Sequence, residues 1–173
     1  MNGEPDSGRP SWMPPDDVLP AVVPVGQFLI RARRVIVALS HVSVYPAGCM
    51  LDVRASARGH EAVPDVFENV VFAARFGAGT MVVMHDKTAP RWLRDGTPAL
   101  RLMQYGLEGS FPAGSDDDRR ADCTIKLWLC PLPPSELGTL SLVSPSFGPG
   151  PASCPLDGRV IVAAATQVQP YWA

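Results

Sequence analysis

The feature that most constrains this chain is the run from Asp122 to Pro134, in which a two-residue alternation is cut off by Pro131, Pro133 and Pro134. Cys123, Ile125, Leu127 and Leu129 fall on one side of an extended segment, and Thr124, Lys126 and Trp128 on the other, because successive strand side chains point to opposite faces. That pattern describes a strand with one buried face. It recurs along the body of the chain, so the fold has to bring many such faces together.

Arg34–Tyr45 is rich in β-branched residues and reads as a strand. Its face of Val35, Val37 and Leu39 turns polar at His41 and Ser43, which a bulge or a change of packing partner near Ser40 would explain. Pro46-Ala47-Gly48 is a turn. Beyond it Leu51, Val53, Ala55 and Ala57 alternate with Asp52, Arg54, Ser56 and Arg58, so the two segments form a hairpin with one solvated side. Val70, Phe72, Ala74 and Phe76 repeat the theme, and Gly77-Ala78-Gly79 returns the chain into a strand over Thr80–His85.

Residues 86–98 read as an irregular loop, Ala99–Tyr105 as strand, and Gly106–Arg120 as a polar excursion. Gly138–Ser144 is a further strand with Leu140 and Leu142 inward, and 145–155 is a Pro/Gly-rich link. Val160, Ile161, Ala164, Ala165 and Val168 recur at helical spacing behind Asp157, an N-cap residue type, which places a short helix near 158–168 ended by Pro170. Val160–Val162 also admits a strand.

Seven or eight short strands and one helix predict an all-β fold: an antiparallel β-sandwich of immunoglobulin-like style with a short C-terminal helix. A partly open β-barrel satisfies the same alternation. The chain's 173 residues, 46% of them hydrophobic, suffice for one domain over 25–173 without disulfide or metal support. Residues 1–24 hold six prolines and four acidic residues against one arginine, too little apolar surface to offset the entropy of ordering, and read as a flexible acidic arm.

Four motifs carry a resemblance: Tyr45-Pro46-Ala47-Gly48, Phe76-Gly77-Ala78-Gly79, Trp128-Leu129-Cys130-Pro131-Leu132-Pro133-Pro134 and Leu156-Asp157-Gly158. In this order the chain resembles a group of uncharacterised bacterial proteins with a Tyr-Pro turn, a Phe-to-Gly hairpin and a Trp-rich strand ending in Pro-Leu-Pro-Pro. The likeness covers about residues 25–172 and departs at Cys130, where the group favours tryptophan. It implies a shared fold and no activity.

Few residue patterns point to chemistry. His41, His60 and His85 lie in separate segments and lack the spacing of a metal site. Ser40 and His41, as strand neighbours, are expected to face opposite ways, and there is no Gly-x-Ser-x-Gly elbow. Asp116-Asp117-Asp118 lacks the alternation of a calcium loop, and Arg119-Arg120 beside it points to local charge balance. The glycine-rich turns precede no phosphate-cradling helix. Cys49, Cys123, Cys130 and Cys154 read as buried thiols.

A net charge of −2 gives no single-sign field, which argues against nucleic acid; Lys87, Arg91, Trp92 and Arg94 form the basic-aromatic cluster of note. The start, Met1–Asp6, has neither a basic nor an apolar signal, and no uncharged run supplies a spanning helix, so a cytoplasmic protein without membrane attachment is expected. The expected function is non-catalytic: a binding, scaffold or self-association module with a protein partner or a second copy, no cofactor and no metal. Trp128, Trp92 and Tyr45 are the expected contact residues. Trp128 either packs beneath the terminal helix near Trp172 or marks an exposed patch. The rival reading is a small enzyme or ligand carrier with a cavity between sheets, using His85, Asp86 or Asp52 as polar groups.

Overall fold

The computed structural model describes residues 13–79, 81–85 and 97–172. It is mostly β, with eleven strands, one short α-helix near the C-terminus and three 3-10 turns among the described residues. The strands are β1 (Val18–Leu19), β2 (Ala21–Arg31), β3 (Val35–Tyr45), β4 (Gly48–Arg58), β5 (Val71–Phe76), β6 (Val82–His85), β7 (Ala99–Ser110), β8 (Arg120–Cys130), β9 (Leu137–Val143), β10 (Ala152–Asp157) and β11 (Gln169–Pro170); the helix α1 is Gly158–Ala164.

Nine strands form one sheet in the order β10-β9-β5-β6-β7-β8-β4-β3-β2, and β1 pairs with β11 in a separate ribbon. Every neighbour pair is antiparallel except β6–β7, which is parallel. The end strands β2 and β10 lie against each other without pairing, and α1 packs on β2, β3 and β9 beside that seam. One continuous sheet rolled until its ends touch is the partly open barrel expected as the alternative. The β6–β7 pair, two residues long and the one parallel step, joins the walls β2-β3-β4-β8-β7 and β10-β9-β5-β6 into that sheet.

The alternation read from sequence sets the wall. Leu51, Val53, Ala55 and Ala57 on β4 meet Ala121, Cys123, Ile125, Leu127 and Leu129 on β8 and Phe72, Ala74, Phe76, Leu140 and Leu142 from the opposite wall in a single buried cluster. The Tyr45–Gly48 hairpin and the β5–β6 hairpin stand where the turn residues place them. Gly77 takes φ +52, a left-handed conformation open to glycine at little cost. β8 ends at a cis Cys130–Pro131 bond.

The bulge falls at Ser40. Leu39 pairs with Val53 and His41 with Asp52, so β3 spends one residue more than β4 there. Inward residues shift from Val35, Val37 and Leu39 to Val42 and Val44, all nearly inaccessible, while His41 and Ser43 move to the outer face.

Three expectations about element bounds need correction. Part of the segment assigned to a flexible arm is strand, Val18–Leu19 and residues 21–24, and residues 1–12 lie outside the described residues; Pro24 is tolerated on a strand at the sheet's edge, where a missing N–H breaks no ladder. The link 145–155 contains the first four of the six residues of β10, whose Pro155 sits on the other edge strand for the same reason. The excursion from Gly106 begins later, since β7 runs on to Ser110 against the full length of β8. The helix expected near 158–168 does form, as α1 followed by a 3-10 turn, Ala165–Gln167, and Asp157 caps it by accepting from the Arg159 N–H at 3.0 Å. Among the described residues no helix is long and apolar enough to cross a membrane.

Candidate functional site

Trp128 lies on the outer face of β8, as its alternation with Leu127 and Leu129 requires, yet it is wholly inaccessible. Its ring meets Tyr45 edge-on, centroids 5.5 Å apart and planes at 74°. Gly48 makes that approach possible: a Cβ there would stand 2.8 Å from Trp128 Cζ2 and 2.5 Å from the Leu129 carbonyl. Arg101, also buried, is the cross-strand partner of Trp128 on β7. Burial draws the Arg101 guanidinium below its ordinary value. It pushes the Cys130 thiol up, against the pull of Trp128 and Arg101.

This cluster packs the chain's own elements together. Trp128 has no accessible surface to offer a partner, and the main contacts of α1 are with β2, β3 and β9. Tyr45 is half-buried, its hydroxyl raised by burial and by Tyr171, which the β1–β11 ribbon carries to it. Trp172 is 82% exposed. Trp92, Asp86 and the Lys87–Arg94 cluster lie outside the described residues, as does the side chain of His85.

Asp52 is almost fully buried on the outer face, and its Oδ1 accepts from Arg54 Nε at 3.1 Å. The bulge overturns the expectation for Ser40 and His41. The extra residue breaks alternation, and Ser40 Oγ comes within 3.3 Å of His41 Nδ1. Neither residue lines any of the three cavities described below. His60 is tied to Arg34 at 2.8 Å and to Glu61 at 3.1 Å. Asp116 pairs with Arg119 at 3.1 Å and Asp117 with Arg34 at 3.6 Å, the local balance the sequence implied. Among the described residues no group of three or more His, Cys, Asp or Glu is arranged to hold a metal.

All four cysteines are buried thiols, with Cys49 pushed up by burial to about 12 and Cys123 and Cys154 to about 11. Groups held protonated so far above neutrality are poor nucleophiles.

Two apolar recesses flank β6. One, of about 500 Å³, opens where the sheet's interior reaches one end of the barrel, between Ala74, Phe76 and Leu129 and the segment Pro131–Pro134. The other, of about 430 Å³, lies on the outer face of β5, β9 and β6, where Val71 stands opposite Val143 and Ala73 opposite Val83. Met81 and Val83 line both. Val71, Met81, Val83 and Val143 are 41–54% exposed, on a surface whose lining holds one charge, Arg75. Sequence reasoning assigned Val71 and Val83 no role. Their outward parity on β5 and β6 was readable, but which outward faces stay uncovered depends on strand order.

The family models matched against this chain, and the curated proteins searched with it, return no match.

Proposed function

We propose that this protein is a non-catalytic binding module that works through the apolar outer face of β5, β6 and β9. We read its two walls, β2-β3-β4-β8-β7 and β10-β9-β5-β6, as a sandwich joined along one side by the β6–β7 pair. The observation that carries the function is the contiguous exposure of Val71, Met81, Val83 and Val143 on neighbouring strands. Contiguous apolar surface of this kind on a folded domain marks a contact site. Its first occupant is a second copy of the chain. A two-fold contact sets a patch against its own image, and a face with one charge at its margin does not repel that image.

The experiment is light scattering on the full chain and on Met81→Glu and Val83→Lys. The expected result is a mass above the 18.5 kDa of one chain, falling to it in both variants with the melting temperature unchanged. A wild-type mass of one chain across the micromolar range overturns self-association.

A second reading rests on the 500 Å³ recess, whose size falls within the range of small-ligand sites at barrel mouths. There Phe76, Leu129 and Leu132 would hold an apolar ligand. Saturable binding of an apolar dye by the monomer, lost in Leu132→Asp and retained in Val143→Lys, which lines only the outer recess, favours that reading.

A further inference from the structure

A third recess, of about 870 Å³, shares no lining residue with the apolar pair and differs from both in chemistry. It lies on the outer face of β3, β4, β8 and β7. Its lining includes Arg54, Arg58, Arg120 and Lys126 against Glu108 and Asp122, an excess of positive charge in a chain whose net charge is −2.

The cations are arranged by the register. Arg58 and Arg120 are direct cross-strand partners, a like-charge pair whose repulsion the nearby Asp122 carboxylate eases and a bound anion would ease further. Arg120 Nε donates to Asp122, and Arg54 donates to the buried Asp52 and, through Nη1, to Thr124 Oγ1 at 2.9 Å. Two guanidinium groups are thereby held in place by carboxylates two residues away on their own strands. The Asp122 carboxyl is raised by burial, but its hydrogen bonds to Arg120 and Ser56 outweigh that and keep it below the usual range. Arg58 and Lys126 form no salt bridge among the described residues.

Between these groups the floor is low. Ala38, Arg54, Thr124 and Gly106 occupy one cross-strand row, and Ser56 the next. A Cβ on Gly106 would meet nothing within 4 Å. Gln104 and Glu108 stand along the β7 side as hydrogen-bonding groups.

We propose that this groove binds a phosphorylated, hydroxyl-bearing small molecule, its phosphate bridging Arg58 and Arg120 and its body lying over Ser56, Thr124 and Gly106 beside Glu108. Guanidinium pairs bind phosphate oxygens in a bidentate manner, and the carboxylate on the β7 side accepts from ligand hydroxyls. The groove and the apolar face are independent, so the two proposals fail or succeed separately.

The test is calorimetric titration of the full chain with adenosine monophosphate, ribose 5-phosphate and inorganic pyrophosphate at low and moderate salt. Saturable, salt-weakened binding is expected. Arg58→Ala should weaken it by about tenfold or more, the loss of one charged hydrogen bond. Gly106→Glu, which fills the floor with an opposing charge and demands no unusual backbone angle, should abolish it while the melting temperature holds. Absence of saturable heat with all three probes at millimolar concentration overturns the proposal. So does binding that Gly106→Glu leaves intact, or binding to anionic phospholipid vesicles alone.

Discussion

Replacing Trp128 with alanine isolates what the outer-face cluster contributes to stability. A buried tryptophan removes roughly 200–250 Å² from water, worth about 5–6 kcal/mol at 25 cal/mol per Å². Residual compactness of the unfolded chain trims that to about 3–5 kcal/mol. The edge-on contact with Tyr45 adds about 1 kcal/mol, and water entering the cavity to solvate Arg101 returns a similar amount, so the expected loss is about 4 kcal/mol. For a chain of this size that lowers the melting temperature by roughly 8–16 °C. Urea titration should show the loss as a lower midpoint at unchanged slope. A double-mutant cycle of Trp128→Ala with Tyr45→Ala should return a coupling near 1 kcal/mol. A cost below about 1 kcal/mol for Trp128→Ala at unchanged slope would refute the packing described here, since no fully enclosed indole is lost so cheaply.

Gly48→Ala should cost about 2 kcal/mol or more, because its Cβ meets the Leu129 carbonyl and the Trp128 ring, whereas Gly150→Ala, with open space around it, should stay within about 0.5 kcal/mol; chemical denaturation separates the two. Deleting Ser40 should leave the fold standing, since it removes the extra residue of β3 while His41 still faces outward and Val42 and Val44 inward; soluble yield and circular dichroism report it, and a chain that no longer folds refutes the bulge register. Stability should fall as pH rises above about 9. The unfolded chain then loses thiol protons that Cys49, Cys123 and Cys154 keep until about 11–12, so each thiol lowers stability by up to about 1.4 kcal/mol per pH unit in that window. Denaturant midpoints measured from pH 7 to 11 check the slope, and a flat profile refutes it.

The sequence carried the wall of this fold but not its closure. Period-two alternation at Leu51–Ala57 and Cys123–Leu129 is a local signal, and the switch to polar residues at His41 and Ser43 marks the bulge at Ser40 in the residue order itself. Strand order is a long-range property: nothing near Val82 or Ala99 announces that their strands pair in parallel and turn two walls into one roll. The prolines misled in one direction. Pro24 and Pro155 read as breakers, although a strand at a sheet edge has no ladder bond to lose on its outer side. Trp128 misled for a related reason, since outward parity and exposure are different things where neighbours such as Tyr45 and Arg101 enclose a ring on the outer face. The groove was equally invisible, because Arg58 and Arg120 are 62 positions apart and become neighbours only through the β4–β8 register.

The unpaired contact between β2 and β10 has a consequence for how the protein assembles. These strands come from near opposite ends of the chain, so the cylinder can close only after nearly every other pairing is made, and closure gains side-chain contact without any main-chain bonds. Such a junction is the last to zip and the first to part, which makes it the place where a largely intact fold admits solvent, protease or a foreign strand.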